Sequence, residues 1–241
     1  MIPIRDDAPR RTEPLVTYFL VALNVLIFLY QVTLSSGPRT RFEFQFGFVP
    51  QRVDDWVAGV EPAVPAFVPA LTSMFLHASW LHLLGNMWFL VIFGDNVEDR
   101  LGHFRYLIFY LLCGLGASLT HLLFNLHSNV PSVGASGAIA GVLGAYFILF
   151  PSARVLTWFG FFILWLPAWL VLGYWFVLQF LSGAAGSLTV ASQRGGVAFW
   201  AHVGGFLMGM ALVGFFQKRG RRPASRDLWW SDRTRGRVRG W

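Results

Sequence analysis

Hydrophobic residues fall in long runs along this chain, and charged residues are concentrated in the segments between them. A run of about 20 apolar residues is long enough to cross the ~30 Å hydrocarbon core of a bilayer as a helix. The pattern predicts six such helices, at about residues 15–34, 74–94, 104–125, 133–150, 160–181 and 197–216. We therefore expect an all-α membrane protein, built as a six-transmembrane-helix bundle.

The composition supports this prediction. Of the 241 residues 55% are hydrophobic and 13% are charged, and the mean hydropathy is +0.54, values that exclude an ordinary soluble domain. Cys113 is the only cysteine, so no disulfide within the chain stabilises the fold. We expect one membrane domain over residues 15–216, preceded by a short charged segment, 1–14, and followed by a basic tail, 217–241.

The distribution of Lys and Arg predicts the orientation. With six spans, fifteen of the 19 basic residues fall on the face that carries both termini, and four fall on the other face. The positive-inside rule then places both termini in the cytoplasm. The segment 35–73 lies outside; because it is rich in Pro, Phe and Val, we expect it to lie in the outer interface rather than in water.

Two polar side chains stand out in the apolar helices. Ser136 lies between glycines at the head of the fourth predicted span, and His202 lies near the start of the sixth. An ionisable residue inside a span is by default a functional-site hypothesis. Both residues lie less than ~10 Å below the outer surface, at ~1.5 Å per residue. Their similar depth indicates a nucleophile and its base.

Small residues on the same two spans favour a close approach of the helices. Gly137 and Gly141 on the fourth span, and Gly205 and Gly209 on the sixth, form faces of the small-xxx-small kind that let backbones come together. Gly134 belongs to the same glycine-rich segment. We expect these glycines to bring the hydroxyl of Ser136 within reach of an imidazole.

Further donors are available for an oxyanion. The backbone N–H of a residue in the first turn of a helix has no intrahelical partner, and that of Ser136 is in this position. His82 and Asn86 are four residues apart, on one face of a helix that Ser79 is placed to cap. The same spacing recurs in His121 and Asn125, so the spacing alone is weak evidence.

Structural explanations compete with this interpretation. A glycine-flanked serine in a membrane helix is often part of close helix packing, and a membrane histidine is often only a hydrogen-bonded structural group. The hydrolase motif Gly-x-Ser-x-Gly does not apply, because no strand precedes Ser136 and position 138 is alanine. The coincidence of depth, glycine faces and a second polar pair favours a functional site.

Four motifs together resemble the rhomboid intramembrane serine proteases over about residues 70–216. They are Gly134-Ala-Ser136-Gly137, Ala201-His202-Val-Gly-Gly205-Phe-Leu-Met-Gly209, His77…His82-Leu-Leu-Gly-Asn86 and Glu98-Asp-Arg100-Leu-Gly102. By this resemblance Ser136 is the nucleophile and His202 the general base. His82, Asn86 and the backbone around Ser136 and Gly137 stabilise the oxyanion.

The resemblance also implies a rhomboid-like six-helix core and no metal or cofactor. The implied substrates are single-span membrane proteins, cut near or within their helices. We expect a bacterial inner membrane, with lipid rather than nucleic acid as the partner of the basic tail. One departure is Ala140, where many members carry an aromatic residue that stacks on the histidine, so the group that orients the ring of His202 is left open.

Two alternatives remain at this point. An inactive rhomboid-like protein binds transmembrane clients without cleaving them, although such relatives have typically lost the serine or the histidine. A transporter is a weaker alternative, for which only Pro167 indicates a broken helix. Pro167 either kinks the fifth span or ends an interfacial piece before it. Substrates are then expected to enter past this span, while the oligomeric state is left open.

Overall fold

The computed structural model describes residues 1–187 and 198–217, most of which are helical. In chain order the elements are β1 (Ile2–Asp6), α1 (Leu15–Thr33), α2 (Ser36–Phe46), α3 (Gln51–Val57), α4 (Ala63–Phe67), α5 (Pro69–Thr72), a 3-10 turn (Ser73–Phe75), α6 (Trp80–Leu101), α7 (His103–Phe124), α8 (Ser136–Leu149), β2 (Arg154–Phe159), β3 (Phe162–Pro167), α9 (Ala168–Ser187) and α10 (Phe199–Phe216). The predicted basic tail lies outside the described residues, except for Gln217.

The helices are those of a multi-pass membrane protein. In the described part of the chain α1, α7, α9 and α10 are each long and apolar enough to cross a membrane. Helix α6 qualifies together with the segment Ala63–Phe75, from which it is bent by 76°. Helix α8 has 14 residues and a length of ~21 Å, which is too short to cross alone. The count of six spans and the cytoplasmic termini therefore stay predictions.

The prediction of an all-α fold is wrong at residues 154–167. Here β2 and β3 form an antiparallel hairpin, and β1 pairs with β2 to give a three-stranded sheet in the order β1-β2-β3. Gly160 has φ +60° at the first position of a two-residue turn, a conformation that favours glycine. The fifth predicted span therefore begins at Ala168 rather than at residue 160, directly after Pro167.

The segment 35–73, named the outer segment after its predicted position at the outer interface, is largely helical. It contains α2, α3, α4 and α5, and a bridge between Phe48 and Ser132 joins it to the loop that precedes α8. The carbonyl oxygen of Ser73 accepts a hydrogen bond from the backbone N–H of Gly134, at 2.9 Å. These contacts hold the outer segment against the start of α8.

Helix α8 lies at the centre of the fold. Every residue from Gly137 to Tyr146 is buried. Its glycines meet those of α10 without side chains between them: a Cβ atom on Gly205 would collide with the carbonyl oxygen of Gly137, and one on Gly209 with that of Gly141. Atoms of the two backbones are therefore in direct contact, as close-packed membrane helices require.

The N-terminal residues are attached to the bundle at the end that lies away from the start of α8. The Glu98 carboxylate accepts hydrogen bonds from the backbone N–H groups of Val16 and Thr17, at 2.9 and 2.8 Å, and so fixes the start of α1. Asp6 accepts hydrogen bonds from the hydroxyl of Tyr146, at 2.5 Å, and from Asn96. Burial raises the pKa of Asp6 to about 7, although the hydrogen bond from Tyr146 opposes the rise.

Asn24 does not join two helices as a membrane asparagine often does. Its side-chain N–H donates to the carbonyl oxygen of Leu20 in the same helix, at 2.7 Å. The segment 1–14, predicted to be a cytoplasmic N-terminal segment, contributes strand β1 to the sheet, and its place in the cytoplasm stays a prediction.

The contact between α8 and α10 predicts that one added methyl group lowers the stability of the protein. Gly209→Ala should lower the free energy of unfolding by about 1–3 kcal/mol, because the added Cβ forces two backbones apart. Gly214→Ala in the same helix is the control: among the described residues no atom outside its own stretch of helix lies within 4 Å of its Cβ position, so stability should stay equal or rise by up to ~1 kcal/mol. Denaturation of both variants in mixed micelles measures the difference, and equal stabilities would contradict the packing.

Candidate active site

Ser136 and His202 come together where α8 and α10 begin. Ser136 is the first residue of α8, and His202 is the fourth residue of α10. The distance between Ser136 Oγ and His202 Nε2 is 2.7 Å, a hydrogen-bond distance. His202 is 7% exposed, and Ser136 is partly buried. The glycine contacts between the two helices bring the side chains this close.

The other imidazole nitrogen of His202 contacts Gln179, a residue of α9. His202 Nδ1 lies 2.8 Å from Gln179 Oε1. An amide oxygen only accepts hydrogen bonds, so Nδ1 carries a proton and donates it, and in the neutral ring Nε2 accepts from the hydroxyl of Ser136. The contact thus selects one tautomer. It also identifies the group that holds the ring, which the presence of Ala140 had left open.

Gln179 was missed in the sequence. It is the only side-chain amide in α9, an otherwise mainly apolar helix, and this was the available signal. Trp175, one turn earlier, also approaches the histidine, with ring centroids 5.8 Å apart and planes inclined by 37°. One face of α9 therefore carries both groups that surround the imidazole.

His82 and Asn86 line the same cavity as Ser136 and Gly137; its volume is about 990 Å³. The backbone N–H of His82 donates to the hydroxyl of Ser79, at 3.2 Å, so Ser79 caps α6 as predicted. Asn86 Nδ2 is buried and has no hydrogen-bond partner among the described residues. An unpaired buried donor is costly, which makes this amide available to an oxygen in the cavity.

The role of Gly134 differs from the one predicted. It was grouped with the glycines that pack helices together. It precedes α8 and has φ +129°, a conformation that favours glycine. A Cβ atom there would lie 2.7 Å from His82 Cε1. The residue therefore makes room for the ring of His82 beside the site, rather than for a neighbouring helix.

His121 and Asn125, the second pair spaced four residues apart, also line the cavity, but these two residues are hydrogen-bonded to each other. The side-chain N–H of Asn125 donates to the carbonyl oxygen of His121, at 2.9 Å. His121 Nδ1 lies 3.4 Å from the same amide nitrogen. This pair is bonded internally at the end of α7, whereas Asn86 Nδ2 has no partner in the part of the chain that the structure describes.

The described acidic residues of the outer segment are bound to groups other than His202. The pairs are Glu43 with Arg39, Asp54 with His127, Asp55 with Gln51, and Glu61 with Arg52. No group of three or more His, Cys, Asp or Glu side chains within residues 1–187 and 198–217 could hold a metal ion. The expected absence of metal and cofactor stays a prediction.

The arrangement provides the elements of nucleophilic chemistry. A hydroxyl and an imidazole nitrogen lie within hydrogen-bond distance, an amide oxygen accepts from the other ring nitrogen, and Asn86, whose Nδ2 has no partner among the described residues, lines the same cavity. Proton transfer from Oγ to Nε2 needs no large movement at this distance.

Comparison with known proteins agrees with these motifs. Residues 66–219 match the family model described as the Rhomboid domain. The chain is 34% identical to Rhomboid-like protein 11, chloroplastic, of Arabidopsis thaliana over 64% of this chain and 54% of that protein. It is 30% identical to Rhomboid protein 1, mitochondrial, of Saccharomyces cerevisiae, over 68% of this chain and 46% of that protein. It is 31% identical to Rhomboid protease GluP of Bacillus subtilis, over 59% of this chain and 27% of that protein.

In these comparisons the chain spans about half the length, or less, of the curated relatives it matches. The matches support an integral membrane protein that passes the membrane several times. They come from a chloroplast, a mitochondrion and a bacterium, so they do not support a bacterial inner membrane in particular.

The contact between Gln179 and His202 predicts a spectroscopic signal. In protein labelled with ¹⁵N-histidine, the Nδ1–H proton of His202 should be protected from exchange, because it is hydrogen-bonded in a buried site. Gln179→Leu should abolish that signal, whereas Gln179→Glu, which keeps an acceptor oxygen, should retain it. Proton–nitrogen correlation spectra in micelles measure both variants. An unchanged signal in Gln179→Leu would show that another group holds the ring.

Proposed function

The chain belongs to the rhomboid family, and on that basis we propose that it is an intramembrane serine endopeptidase that uses Ser136 and His202 as a catalytic dyad. The 2.7 Å contact between Ser136 Oγ and His202 Nε2 is the observation that carries the proposal. The reaction is hydrolysis of a peptide bond in a single-span membrane protein, near or within its helix.

In the proposed mechanism Ser136 Oγ attacks the carbonyl carbon of the scissile bond, and its proton passes to His202 Nε2. The imidazolium then donates this proton to the leaving amine as the C–N bond breaks, which leaves an ester on Ser136. A water molecule, deprotonated by His202, hydrolyses the ester and restores the hydroxyl. Gln179 holds Nδ1–H throughout, so that Nε2 stays directed at the reacting atoms.

Negative charge on the substrate oxygen needs donors in a protected site. We assign this role to the backbone N–H groups at Ser136 and Gly137, to Asn86 Nδ2 and to the side chain of His82. The unpaired state of Asn86 Nδ2 supports the assignment, because a bound oxyanion supplies the missing acceptor. The internal bonding of Asn125 argues against the competing pair.

The dyad is proposed to act without a carboxylate. The described outer acids are bound to Arg39, Arg52, Gln51 and His127, and an amide occupies the position next to Nδ1. An amide orients the ring without adding charge. This geometry favours a dyad supported by Gln179 over a Ser-His-Asp triad.

The finer topology is also part of the proposal. We place six helices across the membrane, with both termini in the cytoplasm, as the fifteen-to-four distribution of basic residues indicates. We also propose that substrate helices reach the cavity by passing α9. No cofactor is required by the mechanism.

Incubation of purified protein with a generic single-span substrate tests the activity. Wild type should produce a new fragment, and Ser136→Ala and His202→Ala should not. A serine-directed fluorophosphonate probe should label wild type at Ser136 and fail to label His202→Ala, because the hydroxyl needs its base. Equal labelling of His202→Ala would contradict the dyad. Substrate capture without cleavage by wild type would instead indicate a client-binding, inactive relative.

Removal of one oxyanion donor should slow the reaction without unfolding the protein. Asn86→Ala should lower kcat by ~10²–10³, the typical cost of losing such a donor. Asn125→Ala is the matched control from the same cavity, and it should keep kcat near that of wild type. Rates are measured with the same substrate, together with the thermal midpoint of each variant. A fully active Asn86→Ala beside an inactive Asn125→Ala would reverse the assignment of the two pairs.

A further inference from the structure

The hairpin β2–β3 exposes a group of large apolar side chains that the site does not use. They are Trp158, Phe159, Phe161, Phe162, Ile163, Leu164 and Trp165. Phe161, in the turn, is fully exposed, and the sequence has no charged residue from Val155 to Ser187. A contiguous apolar surface of this kind marks an interaction site or a membrane contact.

Both faces of the hairpin are apolar and exposed towards its tip. Side chains that pair directly across the strands lie on the same face, so Phe159 and Phe162 share one face and Trp158 and Ile163 share the other. Phe162 is 64% exposed and Ile163 is 61% exposed. A folded protein partner covers one face of a strand pair, whereas a fluid apolar medium surrounds both. The tip is therefore suited to lipid.

The position of the hairpin brings it to the bilayer. It begins four residues after Phe150, the cap residue of α8, and β3 ends where α9, a candidate membrane span, begins. Ser136 begins α8, so the hairpin lies ~20 Å from the site, at the other end of that helix. A bilayer that α9 crosses therefore begins next to the base of the hairpin, where β3 ends.

Hydrogen bonding within the hairpin fits an environment with little water. The indole N–H of Trp158 donates to the carbonyl oxygen of Gly160, at 2.6 Å, which satisfies a donor and a turn acceptor together. The outer edge of β3 has no partner strand in the described sheet, and unpaired backbone groups exclude it from the hydrocarbon centre. The boundary between headgroups and acyl chains, where tryptophan is enriched, meets both conditions.

A cation at the base of the hairpin fits the same depth. The guanidinium of Arg5 lies over the ring of Trp165, 5.5 Å from its centroid. This places a positive charge beside the aromatic surface, as expected next to headgroup phosphates.

We propose that the tip of the β2–β3 hairpin inserts into the headgroup–acyl boundary of the leaflet on the side of β1, and anchors the start of α9 in phospholipid. The contact is apolar, so zwitterionic lipid is sufficient. The same helix carries Gln179, eleven residues after its first residue, so the anchor also fixes one end of the helix that orients His202. The inference does not depend on proteolytic activity.

Depth-dependent quenching tests the insertion. Full-length protein with Cys113→Ala and Phe161→Cys carries an environment-sensitive fluorophore at the tip, in phosphatidylcholine nanodiscs with one copy per disc. We expect a nitroxide on a shallow acyl carbon to quench most of the emission, and aqueous iodide to quench little. The control is the same label at Arg11→Cys, an exposed position in the polar N-terminal segment, where iodide should quench strongly and the nitroxide weakly.

A second variant separates insertion from the effect of the label. With the fluorophore at Phe162→Cys, the additional change Phe161→Asp should shift the label towards water and raise iodide quenching. The proposal is overturned if iodide quenches the label at the tip, without the Phe161→Asp change, as strongly as it quenches the label at position 11. It is also overturned if neither reagent quenches the label at the tip, because protein rather than lipid then covers it.

Discussion

The direct backbone contact between α8 and α10 is the constraint on which the site depends. Gly205 and Gly209 meet the carbonyl oxygens of Gly137 and Gly141, so even one methyl group separates the helices. Lipid chains are as apolar as the helix surfaces, so close packing rather than the hydrophobic effect holds such helices together. The 2.7 Å contact between Ser136 and His202 at the head of the same interface follows from it.

Orientation of the imidazole comes from a third helix. Gln179 on α9 accepts from Nδ1–H, while Ser136 on α8 faces Nε2. In the proposed mechanism the packing of α9 against α10 therefore favours the reactive tautomer. If substrates enter past α9 as proposed, their entry is coupled to the state of the base through one hydrogen bond, because displacement of α9 removes the acceptor that favours this tautomer.

Much of the candidate site was accessible from sequence because its signals are local. An ionisable His202 in an apolar run, a glycine-flanked Ser136 and repeated small residues are each visible within a few positions. Gln179 was not recognised, since a single amide in an apolar helix has no periodicity to distinguish it. Asn86 and Asn125 were indistinguishable by spacing, and only hydrogen bonding separates an unpaired amide from an internally bonded one.

Local sequence patterns were sufficient to predict the membrane class, most helix positions and the residue types of the site, because hydropathy and small-residue spacing act over one or two turns. Residues 160–167 show the limit: an apolar run is compatible with a strand or with a helix, and here β3 pairs with the neighbouring strand β2, which in turn pairs with β1, distant in the chain. Tertiary structure alone also decided which group holds His202 and that Gly134 accommodates His82. Both depend on contacts between segments far apart in sequence, which no local pattern encodes.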